Sequence, residues 1–487
     1  MLPRLWGSGK FASIDAGSLD YLRGLGIDYV WYTGVIRHAT RKADEGCRPS
    51  HPQIVKGEAG SPYAITDYYD VNPYLAIDPE RRMEEFQELV ERTHAHGLKV
   101  VLDFVPNHVA RDYQSHEPGV RSLGADDDVA FHWSPENDFY YYPGVPLQLP
   151  VPCRGDCFYE YPAKASGNCF TPSPGENDWY ETIKLNYCSF HTGTWDKMYE
   201  IVRFWARKGV DAFRCDMVEL VPPPFMQWLI ARIKAEFPGV LFIAEVYEKE
   251  KYRTYVEEVG FDLLYDKSGL YDTLRAVTCD GKSACAITWN WQFLGDLQPR
   301  MLNFLENHDE QRVASDFFAG SAEAGYAALG VSLLLNTAPF MLYFGEEVGE
   351  RGMDDEPFSG VNGRTSIFDW WTVKSLQALH AFIDRKENAL DDGQMAILKR
   401  HRDALALAKR PAFAEGRTYD LGYCQGANFD PDRHFAFLRA DDAETWLVVA
   451  NFGPATDISV RIPAEAGATP QTVTLRVPER DFVAVRI

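Results

Sequence analysis

The stretch Gly209-Val-Asp-Ala-Phe-Arg-Cys-Asp216 reads as a short apolar strand that ends in charged side chains. Successive side chains of a strand point to opposite faces, so Arg214 and Asp216 share one face. A carboxylate at the end of an apolar strand is costly unless it is paired or used. We expect Arg214 to lie beside Asp216 and to lower the pKa of that carboxyl. Taken alone, the pair could equally be a structural ion pair at the end of a barrel.

Three further segments end predicted strands in the same way. In a (β/α)8 barrel the carboxyl ends of all strands meet at one mouth, where such barrels carry their chemistry. Each segment also has a plain structural explanation, such as a polar turn or a helix cap, but the set as a whole favours a functional site. The segments are Asp103-Phe-Val-Pro-Asn-His108, Leu241-Phe-Ile-Ala-Glu245 and Phe304-Leu-Glu-Asn-His-Asp309.

Short apolar strands alternate with amphipathic helices over most of the chain. Between Asp78 and Gly97 apolar residues recur at helical spacing, Asp78 can cap the helix and Gly97 can end it. From Met198 apolar residues recur at the same spacing, and Gly209 ends that helix. Alternating strands and helices predict a parallel sheet closed into a (β/α)8 TIM barrel. The predicted strands are Leu2–Leu5, Tyr29–Tyr32, Lys99–Leu102, Val210–Phe213, Val240–Ile243, Phe261–Leu264, Met301–Phe304 and Phe340–Tyr343.

Two regions break this alternation. Residues 108–187 are rich in Pro, Gly, Asp, Asn and aromatic residues, which predicts a small inserted domain after the third strand. Residues 411–487 contain period-two strands with short turns, which predict a C-terminal antiparallel β-sandwich. The barrel is therefore assigned to residues 1–107 and 188–410.

Composition excludes several classes of partner. The chain of 487 residues has 49 Lys and Arg against 71 Asp and Glu, a formal net charge of −22. Nucleic acids and anionic membranes require clustered basic residues, so a neutral partner such as a sugar fits better. The amino terminus has no secretory signal pattern and no apolar run reaches about 18 residues, which predicts a cytoplasmic protein. The oligomeric state is left open.

The nine cysteines are odd in number and irregularly spaced, so we expect reduced thiols rather than a disulfide framework. Cys153, Cys157 and Cys169 share one loop-rich stretch. They could pair or bind zinc, although no second paired motif supports a zinc site.

The four motifs, in this order and with an insertion after the first and a β-sandwich at the end, resemble the α-amylase family, glycoside hydrolase family 13. The resemblance implies that Asp216 is the nucleophile, that Glu245 is the general acid and base, and that Asp309 stabilises the transition state. The apolar run before Glu245 also favours a protonated carboxyl, as an acid requires. The resemblance further implies a set of sugar-binding residues, namely Tyr63, Asp67, His108, Arg214 and His308.

No cofactor is expected to take part in the chemistry, but the resemblance implies a structural calcium ion. Asn107 matches a calcium ligand of many family members. The acidic segments Asp126–Asp128 and Glu176–Asp178 could add the oxygen ligands that Ca²⁺ prefers. A departure from the family concerns the run Met217–Leu220, where many starch-degrading members carry Lys-His.

The leading prediction is a retaining hydrolase of α-glucosidic bonds, mainly α-1,4, in starch- or glycogen-derived oligosaccharides. One alternative is an α-glucan transglycosylase or isomerase with the same machinery, resembling a trehalose synthase. Another is a catalytically inactive glucan-binding protein, against which the intact carboxylates argue. The sequence leaves endo or exo action, α-1,4 or α-1,6 preference and chain length open.

Overall fold

A parallel sheet of neighbouring strands forms the centre of the molecule. The computed structural model describes residues 1–43, 47–188, 192–386 and 388–487. Seven strands lie side by side in chain order, each parallel to its neighbours, which fits the predicted TIM barrel. They are Tyr29–Trp31, Lys99–Phe104, Ala212–Cys215, Leu241–Ala244, Leu263–Tyr265, Met301–Phe304 and Phe340–Met341.

The predicted strand at Leu2–Leu5 is wrong, because residues Pro3–Leu5 form a 3-10 helix. Proline cannot donate a hydrogen bond to a strand ladder, and its fixed φ suits the first position of a helical turn. The backbone of Met1 contacts the adjoining strand edge. Its nitrogen donates to the Trp31 carbonyl at 2.6 Å, and the Thr33 nitrogen donates to the Met1 carbonyl at 3.0 Å.

Helices cover the outside of the sheet. Phe86, Leu89 and Val90 are buried on one helix, and Trp205 is buried on the next, as their spacing predicts. Within the described residues the α-helices are Ala16–Gly24, Arg82–Ala95, Gly193–Arg207, Pro223–Glu236, Asp272–Cys279, Cys285–Leu294, Tyr326–Leu334, Lys374–Ile383, Asp392–Ala408 and Pro411–Ala414. Turns of π-helix cover Thr254–Val259 and Lys267–Tyr271.

The region between the third predicted strand and the helix Gly193–Arg207 has little regular structure. Strand His108–Ala110 pairs with Thr182–Lys184, and Tyr141–Tyr142 pairs with Ala163–Lys164, both antiparallel. Cys153 and Cys157 form a disulfide, so pairing replaces the expected reduced thiols there. Cys169 is free. The boundaries of the inserted domain stay predictions.

One strand pair beside the barrel was not predicted. Strand Ile36–His38 pairs with Ile65–Val71, which carries Asp67. Its register shifts twice along this short ladder, so neither strand shows a clean period-two pattern. Among the described residues, no helix is both long and apolar enough to cross a membrane.

The C-terminal region contains the predicted antiparallel sheets. A four-stranded sheet has the spatial order Arg417–Asp420, His434–Ala440, Thr445–Asn451 and Phe482–Arg486. Strands Thr456–Ile462 and Gln471–Val477 form a second sheet. A separate apolar core that includes Leu438, Leu447, Ile458 and Val460 joins the two sheets into a sandwich.

Candidate active site

Arg214 is the centre of the charged cluster at the carboxyl end of the barrel strands. Its Nη1 donates to Asp216 Oδ1 at 2.6 Å, and its Nη2 lies 2.9 Å from Glu245 Oε1. Asp103, from the neighbouring strand, has its Oδ1 3.7 Å from Nη1. The side chains of all four residues are almost fully buried. One guanidinium thus gathers carboxylates from three adjacent strand ends, as the sequence predicts for Asp216 and Glu245.

Aromatic rings enclose the same guanidinium. Its Cζ lies 5.4 Å from the ring centre of Trp31, 5.3 Å from that of Tyr63 and 5.6 Å from that of Tyr265. Burial works against the charge, but Glu245 and its other neighbours outweigh burial and raise the pKa of Arg214 well above its ordinary value. Arg214 therefore stays charged and keeps its planar fork in one orientation.

Asp216 follows the strand Ala212–Cys215 directly. Burial raises its pKa well above the ordinary value, against the opposing charge of Arg214, and the Glu245 carboxylate raises it further. The expected net lowering of the Asp216 pKa is therefore wrong, because burial of the carboxyl outweighs the charge of Arg214.

Glu245 follows the strand Leu241–Ala244 and is surrounded by hydrogen-bond donors rather than by the expected apolar groups. The Tyr247 hydroxyl donates to Oε1 at 2.7 Å, and the Met217 backbone nitrogen donates to Oε2 at 2.8 Å. Met217 has a left-handed backbone with φ of 45°, which is uncommon for a residue with a side chain. This turn aims its N–H at Glu245.

Asp309 is the most accessible member of the cluster, with 42% of its side chain exposed. Its Oδ2 lies 3.1 Å from Nε2 of the buried His308, and the same ring nitrogen lies 2.6 Å from the Tyr63 hydroxyl. Burial opposes ionisation, but His308 and then Arg214 outweigh it and lower the pKa of Asp309 to about 2. Asp309 is therefore a permanent negative charge at the opening of the site.

His108 lies at the edge of the inserted region, where its ring meets the Trp179 ring with centres 5.1 Å apart. Burial lowers the pKa of His108 to about 3, so its imidazole is neutral. A neutral ring can both donate and accept a hydrogen bond. The Asn107 side-chain nitrogen lies 3.1 Å from its Nδ1.

Asp67, whose sugar-binding role stays a prediction, has both carboxylate oxygens hydrogen-bonded to backbone nitrogens. Its Oδ1 accepts from the Tyr69 nitrogen at 3.0 Å, and its Oδ2 accepts from the His116 nitrogen at 2.8 Å. The side chain is almost completely buried. Of the two predicted residues in this segment, the structure brings only Tyr63 to the Arg214 cluster.

The surroundings of Asn107 do not fit the predicted calcium ion. Lys184 donates its ammonium group to Asn107 Oδ1 and, at 2.8 Å, to the Leu220 carbonyl. The Asn107 nitrogen donates to the Gly167 carbonyl at 2.9 Å. A cation of the chain itself therefore occupies the side of Asn107 that a metal ion would need, and Lys184 links the insertion to the run after Asp216.

The acidic segments suggested as calcium ligands have other partners. Asp126 pairs with Arg121, Asp127 accepts from the Asp138 nitrogen at 2.8 Å, and Asp178 accepts from the Gly175 nitrogen at 2.7 Å. In the part of the chain that the structure describes, no group of three or more His, Cys, Asp or Glu residues could hold a metal ion.

Sequence reasoning missed the residues that support Glu245. Tyr247 stands two positions after Glu245, a spacing that puts both side chains on one face of an extended segment and could have been noticed. Glu219 lies in the run Met217–Leu220, where the sequence departs from many starch-degrading members of the family. Its carboxylate accepts from the Tyr247 nitrogen at 2.8 Å and from the Glu248 nitrogen at 3.2 Å, so it holds the loop after Glu245.

Comparison with known sequences agrees with this geometry. The sequence model of the α-amylase catalytic domain matches residues 8–403. That match covers well over half of the chain and contains every member of the Arg214 cluster.

Two relatives illustrate the range of named activities. An α-1,4-glucan:maltose-1-phosphate maltosyltransferase of Cereibacter sphaeroides is 28% identical over 278 residues, 54% of this chain and 34% of that enzyme. Alpha-amylase 3 of Dictyoglomus thermophilum is 25% identical over 370 residues, 73% of this chain and 64% of that enzyme. The chain spans less than two thirds of the length of either relative.

Solved structures share the fold. A cyclic α-maltosyl-(1→6)-maltose hydrolase from Arthrobacter globiformis has a TM-score of 0.67 at 19% identity, covering 98% of this chain and 89% of that chain. A noncanonic maltogenic α-amylase from Thermotoga neapolitana has a TM-score of 0.64 at 20% identity, covering 100% of this chain and 95% of that chain. With its barrel, its C-terminal sandwich and the match over residues 8–403, this chain belongs to the α-amylase family, glycoside hydrolase family 13.

Proposed function

We propose that the chain is a retaining glycoside hydrolase that cleaves α-glucosidic bonds, mainly α-1,4, in starch- or glycogen-derived oligosaccharides. One observation carries the proposal: Asp216 and Glu245 bind the two terminal nitrogens of one buried guanidinium, and Asp309 stands beside them at the opening. Carboxyls that share one guanidinium lie close together. This favours the spacing of retaining enzymes, roughly 5 Å, over the wider spacing of inverting ones.

In the first step, protonated Glu245 gives its proton to the glycosidic oxygen while a carboxylate oxygen of Asp216 attacks the anomeric carbon. The bond from that carbon to the leaving oxygen breaks, and a covalent glycosyl–Asp216 ester forms. Asp216 Oδ1 is held by Arg214, and Oδ2 has no donor among the described residues, so it suits the attack. The negative charge of Asp309 stabilises positive charge that develops on the sugar ring.

In the second step, Glu245 takes a proton from water, and the water oxygen attacks the anomeric carbon. The bond to Asp216 breaks, and the product keeps the α-configuration because the carbon has been inverted twice. Tyr247 and the Met217 nitrogen hold Glu245 in place through both proton transfers. No metal ion or cofactor takes part in either step.

The α-glucan substrate is supported by the names of the relatives. They include α-amylases, maltosyltransferases and a trehalose-6-phosphate hydrolase of Bacillus subtilis that is 26% identical over 209 residues. The net charge of −22 fits a neutral polysaccharide or oligosaccharide better than an anionic one.

A transglycosylase is the second candidate, in which a sugar hydroxyl replaces water in the second step. The run Met217–Leu220 supports it, because Glu219 binds the loop after Glu245 and Leu220 binds Lys184 where many amylases carry Lys-His. The acceptor side of the site is therefore built differently from that of those amylases. The maltosyltransferase relatives point in the same direction.

The test is digestion of maltoheptaose, followed by proton NMR during the first minutes and by chromatography of the products. We expect new reducing ends that appear first in the α-anomeric form and products shorter than seven units. Products longer than the substrate would assign the transglycosylase instead. A β-anomer would overturn the retaining mechanism, and the absence of turnover would favour the glucan-binding alternative.

A further inference from the structure

Lys184 places its charge beside Asn107, where the resemblance implies a calcium ion. It is the last residue of the strand Thr182–Lys184 in the inserted region, and it lies opposite His108 in the antiparallel pair. The side chain is partly buried, and its ammonium group reaches both Asn107 and Leu220. This ammonium group is the cation that the structure itself supplies at the expected metal position.

The acceptors of this ammonium group are neutral oxygens. The side-chain Oδ1 of Asn107 and the backbone carbonyl of Leu220 both accept from Lys184 Nζ, the latter at 2.8 Å. Burial lowers the pKa of Lys184 to about 8, so the ammonium form still predominates at neutral pH. A calcium ion takes roughly six to eight oxygens and favours carboxylates among them. Two neutral oxygens therefore suit one ammonium group better than a divalent ion.

Through these two bonds Lys184 joins three segments of the chain. Asn107 follows a barrel strand, Lys184 belongs to the inserted region, and Leu220 ends the 3-10 turn Val218–Leu220. Asn107 adds a further link to the insertion, because its side-chain nitrogen donates to the Gly167 carbonyl at 2.9 Å. One lysine thus ties the insertion to the barrel, which is what a structural ion bound at Asn107 would do.

The turn that Lys184 holds follows the residue that donates to Glu245. The Met217 nitrogen donates to Glu245 Oε2 at 2.8 Å, and the Leu220 nitrogen donates to the Met217 carbonyl at 3.0 Å. A left-handed backbone such as that of Met217 persists only where surrounding contacts hold it. The bond from Lys184 to Leu220 is one of these contacts, so Lys184 is connected to Glu245 through the turn.

We propose that Lys184 is an internal cation that takes the place of calcium at Asn107 and acts as a positioning residue for Glu245. By holding the turn Val218–Leu220, it keeps the Met217 N–H aimed at the acid. The replacement of calcium concerns binding and stability and stands without the proposed function. The positioning role rests on the proposed function, because it requires Glu245 to act as the general acid.

Calcium titration of the parent protein tests the replacement. After treatment with a chelator, the parent should show no saturable heat of binding with CaCl2, and its thermal unfolding midpoint should be the same with and without millimolar calcium. Calcium binding that Asn107→Ala abolishes would overturn the replacement. The absence of binding, or binding that Asn107→Ala leaves intact, supports it.

Two substrates that differ in their leaving group test the positioning role. Maltoheptaose needs a proton from the acid, whereas fluoride leaves α-maltosyl fluoride with little need for protonation. We expect Lys184→Met to lower kcat on maltoheptaose roughly tenfold or more, the effect of losing a hydrogen bond from a charged donor. The same variant should keep most of the parent kcat on the fluoride. Lys184→Arg keeps the charge and should recover part of the loss.

Lys164→Met is the matched control for these rates. Lys164 ends another short strand of the insertion, and its ammonium group lies 3.5 Å from Glu160 Oε2. It should match the parent on both substrates. Equal losses of Lys184→Met on the two substrates, or a parent rate on maltoheptaose, would overturn the positioning role. A parent that cleaves neither substrate would overturn the proposed function and the positioning role with it, while the calcium titration would still decide the replacement.

Discussion

Among the described residues of the barrel, Arg214 and Arg312 are two buried arginines that lie among carboxylates. Arg312 is completely buried, and its Nη1 donates to Glu306 Oε2 at 2.8 Å. Its guanidinium also lies 4.1 Å from the Tyr343 ring centre, much as the Arg214 guanidinium lies among rings. Burial raises the pKa of Glu306 to about 6, and burial together with Glu306 raises that of Glu346 well above its ordinary value. By charge and burial alone, the Arg312 cluster would qualify as an active site.

The two clusters differ in what their polar atoms bind. In the Arg312 cluster, Glu306 accepts from the Val313 nitrogen at 2.6 Å, and Glu346 accepts from the Tyr343 nitrogen at 3.2 Å. These carboxylates hold the chain. In the Arg214 cluster, Asp309 is 42% exposed and Asp216 keeps an oxygen without a donor among the described residues. Perturbed pKa values therefore mark both structural and functional networks, and access to substrate separates them.

The largest effect that separates the clusters concerns Asp216, the nucleophile of the proposed mechanism. If Asp216 attacks the anomeric carbon as proposed, Asp216→Asn removes the attacking carboxylate, and we expect the initial rate on maltoheptaose to fall on the order of 10⁴-fold or more. Glu346→Gln makes the same chemical change in the Arg312 cluster and should retain the parent rate. Asp216→Asn with parent activity, or an equal loss in both variants, would remove the functional distinction between the clusters.

The second effect concerns stability and should be large in the Arg312 cluster. Arg312→Met leaves Glu306 buried without its cation and removes the side-chain hydrogen bond from Arg312 Nε to Thr365 Oγ1. We expect the free energy of unfolding in urea to fall by about 3 kcal/mol. Arg351→Met is the control, because the Arg351 side chain is half-exposed and pairs with the exposed Asp316. It should change the free energy of unfolding by less than about 0.5 kcal/mol. If Arg312→Met unfolds at the same urea concentration as the parent, the Arg312 cluster does not stabilise the fold.

The third effect is a pH dependence of stability that belongs to Glu346. Its folded-state pKa is raised, so its contribution to stability is fully present below the ordinary value of 4.5 and is lost as pH rises towards the folded value. The loss follows a slope of about 1.4 kcal/mol per pH unit in that window. Glu346→Gln cannot ionise and lacks this loss, so it should be the more stable protein at pH 7.

The measurement for this prediction is urea unfolding of the parent and Glu346→Gln from pH 4 to pH 8. The two stabilities should converge near pH 4 and separate as pH rises. Glu306 and Glu347 remain in both proteins, so their titration affects both curves. Parallel curves over the whole range would show that Glu346 is ionised in the folded protein.

The strands of the barrel could be predicted because their signal is local. Apolar runs of four to six residues recur between helical patterns, and seven of the eight predicted strands lie in the parallel sheet in chain order. The period-two strands predicted for residues 411–487 are also present. The failure at Leu2–Leu5 has a local cause as well, since Pro3 favours a helical turn over a ladder.

The site was only partly predictable because its residues compete for partners across the fold. Asp67 and Tyr63 lie four residues apart in the same segment, yet Asp67 is taken by the nitrogens of Tyr69 and His116, while Tyr63 reaches His308. Lys184 takes the oxygen of Asn107 over a separation of 77 residues. No rule based on residue spacing in the sequence predicts these contacts.

By itself, the sequence determined which side chains arrive at the mouth of the barrel. The alternation of faces along each strand and the parallel order of the strands place Arg214, Asp216, Glu245 and Asp309 at one end. Only the tertiary structure decided what those groups do there. It shares one guanidinium between two carboxyls and surrounds Glu245 with donors. It puts an ammonium group beside Asn107 and leaves Asp309 open. The physical reason is that the strand signal of an apolar run is local to its own segment. The pKa and the hydrogen-bond partners of a buried charge depend instead on every other charge and donor nearby.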